Sequence, residues 1–440
     1  MSEINPISTF IINKRNRSDR RVHILNQFLN KEEFVVQIVT AIECEIGAVG
    51  LWNTIKYIIT ELITGEENFI LLCEDDHEFT DAYSAESLVK AINNAKNSKA
   101  DILLGGVSGF FGAVELSNNL FWVETFSGLQ FTIIFRKFFD TILNTDFNDY
   151  DNADFKFADI SNYKFLMVPF ISIQRDFGYS DVTEGNNVAG RMQLAFKESQ
   201  ENLLNIQSVN RFYSLTKEKL NASQQYNLNE ITLTTFVLYT NTIGNELENI
   251  TKQFRGKKEF DVKFVNMSER SNDLRGHWEY FREIIIKAIA DKEDVIVICR
   301  DKHEFTENYS KEFFLSNLLQ AHIHGTEILM GGISFFKQLV PISESRYWID
   351  SVHGSQFIVL FRNVFSKILN EPTEDYKHID EYLSIITSNK VVIHPFISKW
   401  RTTSEYSKIN TQAKKVIPDT YNETNDRISK IKRIINELKN

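Results

Sequence analysis

Short apolar runs alternate with amphipathic stretches along the first half of the chain. Continuous apolar runs are typical of buried strands, and they fall at 9–13, 34–39, 69–73 and 102–104. Helices are predicted between them, over 19–29, 50–64 and 84–97. In the first helix, Ser18 is the expected N-cap, and Val22, Leu25 and Leu29 share one face. This alternation predicts an α/β fold with a Rossmann-like, mainly parallel sheet.

An internal repeat organises the whole sequence. Residues 70–84, ILLCEDDHEFTDAYS, recur at 296–310 as IVICRDKHEFTENYS. The same offset aligns the segment PFIS at 169–172 with PFIS at 395–398. A period this long indicates tandem duplication of one domain, not a solenoid. We therefore expect two domains of one fold, over 1–185 and 230–412.

Two segments lie outside the detected repeat. Residues 186–229 are polar with scattered apolar positions, and they predict a helical linker. Residues 413–440 predict an amphipathic C-terminal helix. Its apolar face comprises Ile428, Ile431, Ile434, Ile435 and Leu438. We expect this helix to pack on a domain.

Composition narrows the class of protein. Of the 440 residues, 42% are hydrophobic and 25% are charged, which is typical of a globular chain. The net charge of −10 argues against a nucleic-acid partner, because phosphate binding needs a basic surface. Three cysteines form no disulfide framework in this length, so a cytoplasmic setting is expected. Neither a signal peptide nor a transmembrane segment is expected from the apolar pattern, while peripheral membrane contact stays open.

Three acidic residues follow the third apolar run. Glu74, Asp75 and Asp76 come directly after the predicted strand 69–73, at the strand end where open α/β sheets bind ligands. Crowded carboxylates repel each other unless a cation lies between them. Hard oxygen ligands suit Mg²⁺ or Mn²⁺. The alternative is a cluster of solvated acids in a loop or at a helix cap.

The second copy favours the metal site over the solvated cluster. Its triplet reads RDK at 300–302, so two cations replace the outer acids. The flanking residues, such as His77, are the same in both copies, and shared residues are most economically assigned to the fold. We therefore interpret His77 as structural, and Glu74 and Asp76 as functional.

A basic run at the end of the first strand shows the same contrast. Residues 13–21 read NKRNRSDRR, whereas the second copy has YTNTIGNEL at 239–247. Arginine and lysine at a strand end and helix start can hold a phosphate, aided by the helix dipole. Such a run alone would be interpreted as a solvated basic face. Its loss together with the outer acids indicates one site for a metal-bound diphosphate.

These motifs resemble glycosyltransferase family 25, which includes lipooligosaccharide and collagen galactosyltransferases. The resemblance lies in FIIN followed by SDRR within 10–21, in the glycines of 47–50, and in the strand ending in EDD within 71–76. It extends to Asp154 and Asp181, and it covers the second copy in degenerate form. It implies a GT-A fold, a nucleotide-sugar donor, Mn²⁺ or Mg²⁺ at the acidic motif, and inversion at the anomeric carbon.

The resemblance also implies roles for individual residues. Asp76 would bind the metal, with Glu74 as a second ligand. Donor contacts are expected from Asn13, Arg15, Arg20, Arg21, Glu74, Asp75 and Asp181. The expected donor is a UDP-sugar, and the acceptor would be a glycan, a lipid-linked sugar or a protein. The family's Cys-x-x-Ser-His stretch is replaced here by LWNT at 51–54, which leaves the choice of donor and acceptor open.

An inverting transferase also needs a carboxylate that takes the proton from the acceptor hydroxyl. Asp154 is the candidate, because it falls where the family carries an acidic residue ahead of an apolar strand. Its counterpart in the second copy is Asp380. Asp151 is the alternative base, and its counterpart is Lys377.

The sequence therefore predicts a metal-dependent glycosyltransferase with a catalytic first domain and a degenerate second domain. A non-catalytic carbohydrate- or nucleotide-binding scaffold is the alternative, and the intact acids and basic run of the first copy argue against it. A metal-dependent nucleotidyltransferase is a second enzyme class. It would normally carry a glycine-rich phosphate loop near the N-terminus, and no run of glycines follows Asn13.

Overall fold

The computed structural model describes residues 6–117, 119–178, 188, 190–217, 227–240, 246–267, 274–370, 379–401 and 413–439. The chain divides into a first unit, Met1–Ser208, and a second unit, Val209–Asn440. Within the described residues, no helix is both long enough and apolar enough to cross a bilayer.

Up to residue 104 the first unit alternates strands and helices as the apolar pattern predicts, apart from a short extra strand at 77–79, and three further strands then follow without a helix between them. Its strands are β1 (Ile7–Asn13), β2 (Phe34–Thr40), β3 (Phe69–Glu74), β4 (His77–Phe79), β5 (Ile102–Leu104), β6 (Gly109–Ser117), β7 (Leu120–Ser127), β8 (Phe131–Phe135), β9 (Lys164–Met167) and β10 (Ser172–Gln174). Its helices are α1 (Ser18–Gln27), α2 (Gly47–Tyr57), α3 (Ala85–Asn97), α4 (Phe139–Leu143), α5 (Ala153–Ile160) and α6 (Arg191–Lys217).

The second unit repeats this series of elements. Its strands are β11 (Leu233–Tyr239), β12 (Phe260–Asn266), β13 (Val295–Arg300), β14 (His303–Phe305), β15 (Ile328–Met330), β16 (Leu339–Pro341), β17 (Arg346–Ile349), β18 (Phe357–Phe361), β19 (Lys390–Ile393) and β20 (Ser398–Trp400). Its helices are α7 (Glu246–Phe254), α8 (Leu274–Ala290), α9 (Lys311–Ile323), α10 (Arg362–Asn370), α11 (Ile379–Ile386) and α12 (Ala413–Lys439).

Each unit is built on one eight-stranded sheet. The strand order is β2-β1-β3-β8-β5-β9-β7-β6 in the first unit and β12-β11-β13-β18-β15-β19-β17-β16 in the second. The pairings run all strands of the first sheet in one direction except β7 and β8. The second sheet has the same pattern with β17 and β18 reversed. The predicted α/β class with two tandem domains is therefore confirmed.

Helix α1 packs with an unexpected face against its unit. Val22, Leu25 and Leu29 do share one side, but that side is exposed, whereas Arg20 and His23 are buried. Ser18 is the first helical residue and makes no side-chain cap; the N-cap position belongs to Arg17. The inward face is mixed: Ile24 and Phe28 are buried in the core, and Arg20 and His23 have polar partners beneath the helix.

The segment expected to be a linker contains a helix that closes the first unit. The boundary between the units falls inside α6, after Ser208. Gln200 of α6 accepts a hydrogen bond from the backbone N–H of Phe170, and Asn425 of α12 accepts one from that of Phe396. Both helices thus dock on the repeated PFIS segment. The C-terminal helix packs on its own unit as expected, with Ile428 and its apolar neighbours buried.

A buried histidine occupies the same position in each unit. His77 Nδ1 lies 2.7 Å from Ser172 Oγ, and His303 Nδ1 lies 2.8 Å from Ser398 Oγ. Both rings are fully buried, and burial lowers the pKa of each to about 3. These contacts agree with a structural role for His77.

Gly106 permits a close backbone crossing next to β5. A Cβ at this position would overlap the carbonyl oxygen of Ser172. We expect Gly106→Ala to lower the free energy of unfolding by about 1–3 kcal/mol through overpacking, measured by urea denaturation. Gly109→Ala is the matched control, because a Cβ there meets no atom within 4 Å. Equal stability of the two variants would contradict the crossing.

Acid should destabilise the second unit through His303. The folded pKa of about 3 lies below the unfolded value of about 6.5, so between these values only the unfolded chain takes up the proton. Stability is retained above the unfolded pKa and falls as the pH decreases below it. We expect a loss of about 2 kcal/mol from this group between about pH 7 and pH 5.

Urea unfolding at both pH values tests this expectation with His303→Gln. The variant should lose part of the acid sensitivity, whereas His322→Gln, at an exposed position, should keep all of it. Unchanged acid sensitivity in His303→Gln would show that another group is responsible.

Candidate functional site

A cavity of about 100 Å³ opens at the carboxyl ends of three adjacent strands of the first unit. Ile12 of β1 pairs with Glu74 of β3, and Asn13 pairs with Thr40 of β2, so the three strands end at one edge. Open α/β sheets bind ligands at this edge. The cavity is lined by Ile12, Lys14, Arg17, Ala41, Ile42, Glu43, Cys44, Gly47, Leu51, Glu74 and Asp75.

Gly50 lets helix α2 approach the end of β2. A Cβ at this position would overlap the carbonyl oxygen of Ile42. One turn later, Thr54 Oγ1 accepts from the Ile42 N–H at 2.8 Å and donates to the Gly50 carbonyl at 2.7 Å. The first residue of α2, Gly47, is thereby held at the cavity, where the positive end of the helix dipole favours a bound anion.

Asp75 is the centre of a buried polar network. Its carboxylate accepts hydrogen bonds from Asn13 Nδ2 at 2.9 Å and from Arg20 Nη1 at 3.0 Å. Arg17 Nη1 lies 3.7 Å from the same carboxylate. Arg20 also donates to Asp76 Oδ2 at 2.9 Å. One guanidinium therefore bridges two neighbouring carboxylates whose burial would otherwise be costly.

Aromatic and basic side chains cover Arg20. The ring centre of Phe177 lies 4.8 Å from Arg20 Cζ and 5.4 Å from Arg175 Cζ. His23 packs edge-on against the same ring, and its Nδ1 accepts a hydrogen bond from Arg175 at 3.2 Å. Its Nε2–H donates to the carbonyl of His77 at 2.9 Å, because a carbonyl oxygen only accepts. Phe177, Arg175 and His23 thus cover Arg20, whose side chain is buried.

Two carboxyl groups of the triplet are incompletely compensated. Asp76 Oδ1 is buried and has no hydrogen-bond partner among the described residues. Burial raises the pKa of Asp76 to about 6, although Arg20 acts in the opposite direction. Burial, followed by the charges of Asp76, Asp75 and Asp154, raises the pKa of Glu74 well above its usual value. Burial therefore disfavours the charged form of Glu74 and Asp76, and a bound cation would favour it.

This arrangement fits a divalent ion held jointly with a substrate. In the part of the chain that the structure describes, no three His, Cys, Asp or Glu residues form a ready-made metal cluster. Mg²⁺ often binds through only one or two carboxylates and completes its shell with waters and phosphates. Glu74 lines the cavity and, two residues later, Asp76 Oδ1 is a carboxylate oxygen with no partner among the described residues, so the chemistry of these side chains fits Mg²⁺ or Mn²⁺.

The carboxylates of the two predicted bases, Asp154 and Asp151, are bonded to groups of their own unit. Asp154 accepts from the backbone N–H of Gly128 at 3.0 Å, and Asp380 accepts from that of Gly354 at 2.7 Å. These matching bonds give the pair a loop-holding role in both units. The Asp151 carboxylate lies 2.8 Å from Lys156 Nζ. The hydrogen bond from the backbone N–H of Asn148 and that from the Lys156 side chain lower the pKa of Asp151.

The predicted donor residues separate into two groups. Asn13, Arg20 and Asp75 form the network, and Glu74 lines the cavity beside it. The side chains of Arg15 and Arg21 are exposed and form no ion pair within the described residues. Asp181 lies outside the residues that the structure describes.

Several residues of the site were not singled out from the sequence. Arg17 was hidden within the basic run, and Glu43 and Cys44 carry no local motif. His23 could have been found by comparing the copies, because the second copy has Asn249 at this position. Arg175 could not have been found by this comparison, because the second copy also has an arginine, Arg401, at this position.

At the end of β13 the second unit keeps the backbone pairing of β3 but carries different side chains. The backbone N–H of Arg300 bonds to the Gln356 carbonyl, as that of Glu74 bonds to Gln130. Tyr421 of α12 is buried, and its hydroxyl donates to the Gly354 carbonyl at 2.7 Å. Burial and the charge of Asp380 raise its pKa, with Arg300 acting in the opposite direction. Here the outer acids are replaced while Asp301 is retained, and Tyr421 is bonded to the Gly354 carbonyl.

Removal of the Arg20 guanidinium should destabilise the first unit. Arg20→Gln leaves the buried Asp75 and Asp76 carboxylates without their shared cation, and we expect a loss of about 3–5 kcal/mol. Chemical unfolding of the full chain measures the effect. Arg15→Gln removes an exposed charge from the same run and should change stability by less than about 0.5 kcal/mol. Similar losses in both variants would argue against the bridge.

Comparisons with known proteins add one distant likeness. No family model and no curated protein matches the chain. Among solved structures, the chain is similar to an apo UDP-glucose pyrophosphorylase, with 9% sequence identity over 44% of this chain and 82% of that one, at a TM-score of 0.28. A likeness at this identity and TM-score carries no argument about what this chain binds or catalyses.

Proposed function

We propose that the first unit is a nucleotide-sugar-dependent glycosyltransferase and that the second unit is its degenerate copy. One observation carries the proposal. In the first unit a cavity, basic side chains and acids left partly unpaired among the described residues lie at the same sheet edge. In the second unit Arg300 and Lys302 stand in place of the outer acids, and Tyr421 is bonded to the nearby Gly354 carbonyl.

The mixed charge of the cavity favours a metal-bound diphosphate over a bare anion. Lys14 and Arg17 attract phosphate, but Glu74 and Asp75 in the same lining repel it. A divalent ion between the carboxylates and the phosphates removes this conflict. The apolar wall, which includes Ile12, Ile42 and Leu51, can take the flat face of a base. A UDP-sugar remains the expected donor.

The residues of the chain divide the work of binding. Glu74 and Asp76 would hold Mg²⁺ or Mn²⁺, which when bound stabilises the charge of the leaving diphosphate. Arg17 and the first turn of α2 would orient the phosphates. Arg20 keeps Asp75 and Asp76 in place and so acts on the substrate only through them. Asp154 and Asp151 stay predictions for the base that deprotonates the acceptor hydroxyl, and inversion stays an expectation from the family resemblance.

Ligand-dependent stabilisation of the full chain tests the proposal. We expect a UDP-sugar with Mn²⁺ to raise the melting temperature by about 5 °C at a concentration near 100 times its Kd. EDTA should abolish the shift, and GDP- and CMP-sugars should give smaller ones. Asp76→Asn should remove the Mn²⁺-dependent part, because it removes a charged ligand at nearly constant volume.

Asp301→Asn is the matched control, since Asp301 occupies the middle of the corresponding triplet in the second unit. It should leave the shift unchanged. A shift that survives Asp76→Asn but disappears in Arg300→Ala would move the site to the second unit. The absence of a shift with any nucleotide would contradict the transferase and favour the non-catalytic scaffold.

A further inference from the structure

Helix α1 presents an apolar stripe to solvent. Val22, Leu25 and Leu29 are 61%, 45% and 64% exposed. Their spacing of three and four residues places them on one side of the helix and its following turn. The opposite side buries Ile24 and Phe28 together with Arg20 and His23. Single exposed apolar residues are common, but three on the outer side of a helix that already buries an apolar pair require an explanation.

The second unit provides an internal comparison for this stripe. At the repeat offset, the counterparts of Val22, Leu25 and Leu29 are Glu248, Thr251 and Arg255, all of them exposed. Helix α7 buries Ile250 and Phe254, just as α1 and its following turn bury their counterparts Ile24 and Phe28, but α7 is polar at the three stripe positions. The same helix position therefore does not require an apolar outer face for folding. The stripe belongs to the first unit alone.

Basic charge accompanies the apolar stripe. Residues 14–31 contain six basic residues and one acidic residue in a chain whose net charge is −10. Arg17 and Arg20 are engaged by the acidic triplet, but Arg15 and Arg21 are exposed, and Arg21 lies one turn before Leu25. The corresponding residues 240–257 contain three basic and two acidic residues. The first copy therefore differs from the second both in the basic charge of this segment and in the apolar residues on the outer face of its helix.

We propose that the outer face of α1 is a docking surface for an anionic membrane. Aliphatic side chains flanked by arginine are the composition with which a helix lies in the lipid interface, because the side chains enter the acyl boundary while the charges meet anionic headgroups. The inference rests on the exposed face and is independent of the proposed transferase activity. Because Arg20 connects α1 to Asp75 and Asp76, docking would bring the acidic site close to the membrane surface.

Co-sedimentation of the full chain with vesicles tests the proposal. We expect binding to vesicles of equal parts phosphatidylglycerol and phosphatidylcholine, and little binding to phosphatidylcholine alone. Binding should weaken as salt is added, because headgroup attraction is screened. The triple variant Val22→Glu, Leu25→Thr, Leu29→Arg introduces the residues of the second copy and should reduce partitioning about tenfold or more. Arg15→Ser with Arg21→Ser should weaken binding and reduce its salt dependence.

The matched control is Leu204→Thr with Ile286→Thr, which removes two exposed aliphatic side chains from other helices. It should bind vesicles as the unsubstituted chain does, and the melting temperatures of all variants should agree. Absence of binding to anionic vesicles, or equal binding by the triple variant, would overturn the proposal. Self-association of the unsubstituted chain that the triple variant abolishes, without vesicle binding, would also overturn it in favour of a second copy of this chain.

Discussion

The guanidinium of Arg20 bridges Asp75 and Asp76 beneath the ring of Phe177, and much of the first unit follows from this contact. A charge placed this deep has to remain paired, so α1 must turn Arg20 toward the acids. In this orientation Val22, Leu25 and Leu29 are exposed. The same pairing leaves Asp76 Oδ1 without a partner among the described residues, which is the atom that a divalent ion would satisfy. The side chain of Arg20 thus affects the buried network, the exposed face of α1 and the candidate site.

Duplication makes the chain its own reference. The two sheets share strand order, the buried histidine and the crossing at Gly106 or Gly332, so these features belong to the fold. The acids, the cavity lining and the outer face of α1 differ between the copies. Asp154 illustrates the value of the comparison, because its bond to a glycine N–H recurs with Asp380. A carboxylate that makes the same bond in both copies is accounted for by the loop it holds.

Local signals in the sequence were sufficient for β1, β2, β3 and β5 and for the acidic motif, but they did not give the strands that follow residue 104 in the first unit. Buried strands are continuous apolar runs, and the repeat connects residues that share a position in the fold. The packing of α1 could not be predicted in this way, because its partners lie more than fifty positions away along the chain. The network around Asp75 combines residues that the sequence had grouped, whereas His23 and Phe177 reach it through tertiary contacts alone.

The hydrogen bond between Gln200 and Phe170 has a consequence for where the first unit can be cut. A fragment that ends at residue 185 would lose this partner and the buried side chains of Phe196, Leu203 and Ile206. A fragment that keeps these contacts therefore extends at least to Ile206. Asn425 of α12 makes the matching hydrogen bond with Phe396 in the second unit, so each unit is closed by a helix that follows its own PFIS segment.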